Sequence, residues 1–295
     1  MSQERNRQML SLAINNTIPE NSEVLIWWLG QSGFIIKSRD VCLAVDPYLS
    51  TTLEEATKNQ PWKRHIRMGP LAVYPNQLHC IDYILCSHGH RDHYDPATID
   101  GLLQGNPNAK LIIPPAIVPT VKKNGHASKE IIGLGVGEVY AAGTLTIQAV
   151  KAKHDAFDWT PETGYPYEGF LIDIASSRIY FAGDTVCYEG MSEELAGDKI
   201  DLAILPINGC SEELLELGFA SNMTYEEAAN LCHTIGAEQM IPCHYDMFTI
   251  NTEQVGRFVN YANTMQERIR YWIPVVGDVY SLTKVEPMLS GTEEN

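Results

Sequence analysis

The chain has 295 residues, 44% apolar and 20% charged, a balance that supports a buried core and excludes long disorder. Asp plus Glu total 37 against 21 Lys plus Arg, and the formal charge of -16 repels a phosphate backbone, which disfavours nucleic acid as a partner. The best apolar run, Val24 to Leu29, falls far short of the roughly 20 residues of a membrane helix, the polar start MSQERNRQML has no signal core, and none of the 7 cysteines forms a CxxC pair, so the expectation is a cytoplasmic protein with reduced thiols and no membrane contact.

Residues 1–20 read as a loose N-terminal extension, 21–287 as a single domain and 288–295 as an acidic tail. Val24–Leu29 and Phe34–Lys37 read as strands across the turn Gly30-Gln31-Ser32-Gly33. Val41–Val45 is a further apolar run that ends at Asp46-Pro47, and 48–79 is irregular. Tyr83–Cys86 runs straight into a histidine cluster, and Lys110–Ile113 is closed by Pro114-Pro115. Val139-Tyr140 with Thr144–Val150, and Gly169–Ile174 with Arg178–Ala182, read as antiparallel pairs. Leu202–Leu205 is a buried strand, and a helix is predicted from Thr224 to about Ile235, with Thr224 and Glu227 as a capping box. Met240-Ile241-Pro242 leads back into a histidine. Antiparallel pairs followed by alternating helices and strands predict an α/β sandwich with two central sheets.

The chemistry concentrates in Ser87-His88-Gly89-His90-Arg91-Asp92-His93, three histidines and an aspartate within six residues. Neutral imidazole is the commonest ligand of divalent transition metals, and carboxylate adds negative charge. Spacing i, i+2 around Gly89 can aim His88 and His90 at one ion, while Asp92 and His93 can face a second. A solvated polar loop is the bland alternative for such a stretch taken alone. Three further ligand-type residues follow apolar runs: His154, Asp184 within Gly183-Asp184-Thr185, and His244. Taken together they give seven ligands, enough for two ions with open positions.

This order, HxHxDH, then His, then Gly-Asp-Thr, then a late His, resembles the metallo-β-lactamase superfamily. The resemblance implies an αββα sandwich with the metal site at one edge of two packed mixed sheets. It further implies that His88, His90 and His154 hold one ion, Asp92, His93 and His244 the other, and that Asp184 bridges them. Over roughly 23–250, Trp27-Trp28-Leu29-Gly30, the His88–His93 loop, Asp155-Ala156-Phe157-Asp158, and Met223-Thr224 leading to Ile241-Pro242-Cys243-His244-Tyr245-Asp246 are similar to the L-ascorbate-6-phosphate lactonase branch. The segment 206–222 and the C-terminus differ from it. What the branch implies is a metal-dependent hydrolase that opens a lactone of a small sugar acid, with or without a phosphate.

Two divalent ions, Zn or Mn with Fe also admitted, would activate a water and polarise the substrate oxygen. Asp92 is expected to move a proton as well as to bind metal. Asp46 either orients a ligand imidazole from behind or caps the end of its strand. Arg64 and Arg67, in the basic stretch 63–67, are the candidates for a substrate phosphate; a solvated loop or subunit contact is the alternative. The expected partner is a small-molecule substrate, and a homo-oligomer is compatible with the sequence. A phosphodiesterase or nuclease on the same centre, and a non-catalytic metal sensor, are the competing functions. Gly133, Gly135 and Gly137 lack the strand–turn–helix context of a dinucleotide loop and read as turns. Trp27 and Trp28 are expected on opposite faces of a strand.

Overall fold

The computed structural model describes residues 3–126, 129–197 and 199–283, so the acidic tail lies outside the described residues. Two seven-stranded sheets pack face to face. The first contains β1 (Glu23–Gly30), β2 (Gly33–Lys37), β3 (Cys42–Val45), β4 (Tyr83–Leu85), β5 (Lys110–Ile113), β6 (Ile131–Gly133) and β14 (Val279–Thr283), in the order β14-β1-β2-β3-β4-β5-β6. The second contains β7 (Val139–Ala142), β8 (Leu145–Lys151), β9 (Glu168–Ile174), β10 (Ser177–Phe181), β11 (Leu202–Pro206), β12 (Gln239–Cys243) and β13 (Arg270–Tyr271), in the order β13-β12-β11-β10-β9-β8-β7. Each sheet is antiparallel on one side and parallel on the other, the change coming at β3 in the first and β10 in the second.

Among the described residues the helices are α1 (Gln3–Asn16), α2 (Thr52–Thr57), α3 (Pro96–Gly105), α4 (Val118–Val121), α5 (Met191–Leu195), α6 (Glu212–Glu216), α7 (Tyr225–Thr234) and α8 (Val255–Thr264). None is long and apolar enough to cross a membrane. The helices make this an αββα sandwich, and β1 shows why its strands read as unbroken apolar runs. Val24, Ile26 and Trp28 face the second sheet, whereas Leu25, Trp27 and Leu29 face outward beneath α1 and α3. A strand covered on both faces has no polar side to display. The two tryptophans therefore divide between the two faces, as alternation requires. On the far side, Ala228, Ala229 and Leu231 of α7 and Phe258 and Ala262 of α8 cover the second sheet. The capping box of α7 is present: the Thr224 side chain accepts from the Glu227 amide, and Glu227 Oε2 accepts from the Thr224 amide.

The N-terminal segment differs from its loose sequence reading. Residues 3–16 form α1, with Leu10 and Ile14 buried four residues apart on one face. Its C-terminal end is held by Lys37, whose Nζ donates to the carbonyls of Ile14 (2.7 Å) and Asn15 (3.2 Å). A cation on unsatisfied terminal carbonyls is favourable both as a hydrogen bond and against the helix dipole. The irregular stretch 48–79 contains the short α2, and α3 was not foreseen despite its clear start. There Asp95 caps the helix by accepting from Thr98 N at 2.8 Å, and Pro96 occupies the first turn. Because Ile14 is fully buried, Ile14→Ala is expected to destabilise the fold by about 2–5 kcal/mol. Chemical denaturation checks this; an unchanged midpoint would mean that α1 is dispensable.

Candidate metal centre

The chemistry-bearing residues leave the C-terminal ends of strands from both sheets. Asp46 directly follows β3, the 87–93 loop follows β4, His154 follows β8, Asp184 follows β10 and His244 directly follows β12. The close approach of the two sheets at this edge depends on Gly183. At φ 62°, a Cβ there would meet Glu168 O at 2.7 Å and the Ser87 Cβ at 2.8 Å, so only glycine lets Asp184 come alongside the histidine loop.

Three groups of side chains converge: Asp46, His88 and His93 form one, and the other two consist wholly of ligands proposed from the sequence. Ligand atoms of His88, His90 and His154 lie within 4.8 Å of one another, and so do those of Asp92, His93 and His244. Asp184 Oδ2 lies between these last two groups, 3.3 Å from His93 Nε2, 3.2 Å from His244 Nε2 and 3.8 Å from His154 Nε2. Asp92 Oδ2 stands 3.7 Å from both His93 Nε2 and His244 Nε2. All seven residues proposed from sequence as ligands thus come together, including His154. No cysteine belongs to any of the three groups.

The imidazoles are oriented from behind. Asp46 accepts from Ser87 N at 2.7 Å, from Ser87 Oγ at 2.6 Å and from His93 Nδ1 at 2.6 Å. With its own proton given to Asp46, Ser87 Oγ accepts from His88 Nδ1 at 2.9 Å. His154 Nδ1 donates to the Ser221 carbonyl at 2.9 Å. Three imidazoles therefore carry their proton on Nδ1 and turn an unprotonated Nε2 inward, which is the tautomer a metal requires. His88 Nε2, His93 Nε2 and Asp184 Oδ1 are buried with no hydrogen-bond partner. Buried polar atoms are ordinarily paired, so two unpaired nitrogens and an unpaired carboxylate oxygen among the converging ligands fit cations at this edge.

Residues 43–245 match the family described as the beta-lactamase superfamily domain. The chain belongs to the beta-lactamase superfamily. It is 27% identical over 259 residues to a UPF0173 metal-dependent hydrolase of Caldivirga maquilingensis, covering 86% of this chain and 96% of that protein. A UPF0173 metal-dependent hydrolase of a Polaromonas species is 30% identical over 216 residues, covering 65% of this chain and 69% of that protein. The fold is also similar to that of Igni18, a metallo hydrolase from Ignicoccus hospitalis. The TM-score is 0.62 and the identity 22%, over 89% of this chain and 100% of that one.

The electrostatics of this beta-lactamase superfamily centre show where positive charge is wanted. Burial opposes charge on His93, yet Asp184, Asp46 and Asp92 hold its pKa well above the ordinary histidine value. Burial also works against charge on Asp184, but His244 and His93 hold its carboxyl well below the usual range. His88 runs the other way: burial, with His93 and His90 adding, depresses its pKa well below normal and keeps it neutral. The carboxylates around His93 and His244 thus make this a place where positive charge is favoured, which a bound cation would supply.

Other side chains complete the rim. The Tyr167 ring packs on His88, His90 and His154 with centroids 5.4, 5.8 and 5.3 Å away, a placement the sequence did not disclose. His65 packs against Phe248 and Phe219, and its Nδ1 is tied to the Lys63 carbonyl at 2.9 Å. Arg67 is committed to the fold: Nε donates to Glu54 at 2.6 Å, NH2 donates to the Ser50 carbonyl at 2.8 Å, and the guanidinium lies over the rings of Tyr48 and Phe248. Arg64 is exposed. A cavity of about 320 Å³ lined by Arg7, Leu10, Trp28 and Met247 contains none of the seven ligand candidates.

Asp46 is the polar support of the site rather than a bare strand cap, because its two oxygens take three donors from the histidine loop. Asp46→Asn turns one of those oxygens into a donor. We expect zinc affinity to fall about 10–100-fold, measured by competition with a chromogenic chelator. Unchanged affinity would return Asp46 to the role of a cap.

Proposed function

We propose that this protein is a metal-dependent hydrolase acting on a lactone of a small sugar acid, with or without a phosphate. His88, His90 and His154 would hold one divalent ion, Asp92, His93 and His244 a second, and Asp184 would lie between them. The observation that carries this reading is the set of imidazoles tied at Nδ1 and turned inward at Nε2, with Asp184 Oδ2 in reach of both groups. The ligand types fit Zn or Mn, and also Fe. When bound, such ions lower the pKa of a water and polarise the oxygen of the bond to be broken.

The chain's own groups divide the remaining work. Asp184 and Asp46 side chains are 4% and 0% exposed, whereas Asp92 is 17% exposed. Asp92 is thus the carboxylate of the three that substrate can reach, and it would take a proton from the attacking water and hand it to the departing alkoxide. Tyr167 walls the His88–His90–His154 side and gives a sugar ring a flat surface. Arg64 remains available for a substrate phosphate, while the acidic chain as a whole disfavours a polynucleotide. The lactone itself rests on the sequence resemblance of 23–250 to the lactonase branch.

The test pairs metal content with hydrolysis of a panel of sugar lactones and an artificial phosphodiester, before and after chelation. About two ions per chain with chelator-sensitive ring opening is the expected result. Assayed at saturating metal, so that weaker binding of the second ion is compensated, Asp92→Asn should lose turnover by about 100-fold or more. Cleavage of the phosphodiester alone would keep the centre and replace the substrate. Metal without any hydrolysis would make the protein a sensor, and full turnover in Asp92→Asn would remove the proton-transfer role.

A further inference from the structure

The turn between β1 and β2 sends a side chain into the centre that the ligand scheme leaves unused. Gln31 is 2% exposed, and its backbone is left-handed, with φ 53°. Its carbonyl accepts from Trp28 Nε1 at 2.9 Å and from the amide of His244 at 3.0 Å. The residue is thereby clamped both to β1 and to the ligand that follows β12. Its carboxamide Nε2 lies 3.1 Å from Asp92 Oδ2. The same nitrogen is 3.3 Å from Nδ1 and 3.2 Å from Nε2 of His244.

The near-equal distances decide the geometry. The two in-plane nitrogens of an imidazole point in divergent directions, so an atom this close to both sits over the ring face. The His244 Nε2 lone pair is left available, and Asp92 Oδ2 is the acceptor in line. The amide orientation follows as well: turned over, its oxygen would face a carboxylate oxygen, with no donor between them. A buried amide is tolerated only when it is hydrogen-bonded, and here the partner is a candidate ligand of the centre.

We infer that Gln31 is a positioning residue for the Asp92–His93–His244 group: its amide donates to Asp92 Oδ2 and sets the rotation of that carboxylate, while its flat head backs the His244 ring. This rests on the ligand assignment given under the proposed function. Gln31 would then tune one of the two ions and leave the His88–His90–His154 group alone.

Calorimetric titration of the metal-free full chain with Zn²⁺ tests it. Gln31→Met keeps the length and removes the donor. One binding event should be unchanged, which also reports a folded protein, and the other should weaken about 10–100-fold. In the Asp92→Asn background, the same substitution should cost much less, because the effect runs through Asp92. Gln31→Glu should weaken the same event by placing a second carboxylate beside Asp92. Equal affinities in wild type and Gln31→Met would overturn the inference. So would costs that simply add in the double variant, which is the signature of packing. Tighter binding by Gln31→Glu would overturn it too, by making the side chain an oxygen ligand. A wild-type chain that binds no ion would instead defeat the ligand assignment itself.

Discussion

The Asp46 carboxylate holds the site together. It is fully buried at the end of β3 and takes three donors from the loop that leaves β4. A polar group removed from water is costly unless its hydrogen bonds are replaced, so this contact leaves the loop little freedom. It fixes the Ser87 hydroxyl, which receives the His88 proton, and it fixes the His93 tautomer directly. The inward Nε2 atoms of both histidines therefore depend on one carboxylate. Histidines on an unsupported loop would rotate and take water instead.

The two sheets supply the rest of the constraint. Strand ends from both converge on one edge, so ligands more than 150 residues apart in the chain, such as His88 and His244, meet without a long loop. The convergence is tight enough to force uncommon backbone. Gln31, Asp46 and His244 all have positive φ, at 53°, 42° and 62°. Non-glycine residues adopt that region at a cost of order 1–3 kcal/mol each, and such residues persist only where the surroundings over-determine them. Here the surroundings are the paired sheets, with apolar faces buried against each other and against α1, α3, α7 and α8.

Much of this was legible in the sequence, for a local reason. Strands such as Val24–Leu29 declare themselves by apolar runs, and ligand-type residues directly after such runs declare the active edge. What stayed hidden depends on partners distant in the chain. Gln31 read as a turn residue because its contacts, Asp92 and His244, are 61 and 213 residues away. Tyr167 lies near the cleft in sequence but could not be placed from it, and the Ser221 carbonyl carries no signal of its own, so their positions came only with the fold. Arg67 looked like a phosphate contact, yet a charge run says nothing of its partners, which are Glu54 and Ser50. Helix α1 was missed because only a few side chains in a polar segment touch the core, and β14 because its pairing with β1 joins Glu23 to Thr283.

The central claim is that one edge of the sandwich holds two ions, one in each histidine group. Diffraction from crystals of the zinc-loaded protein at the zinc absorption edge tests this most directly. The account predicts two anomalous peaks about 3.5–4 Å apart, with Asp184 between them. One should lie about 2.0–2.1 Å from Nε2 of His88 and His154, and the other at the same distance from Nε2 of His93 and His244. A single peak, or peaks coordinated by Asp46 or a cysteine in place of these atoms, would contradict it.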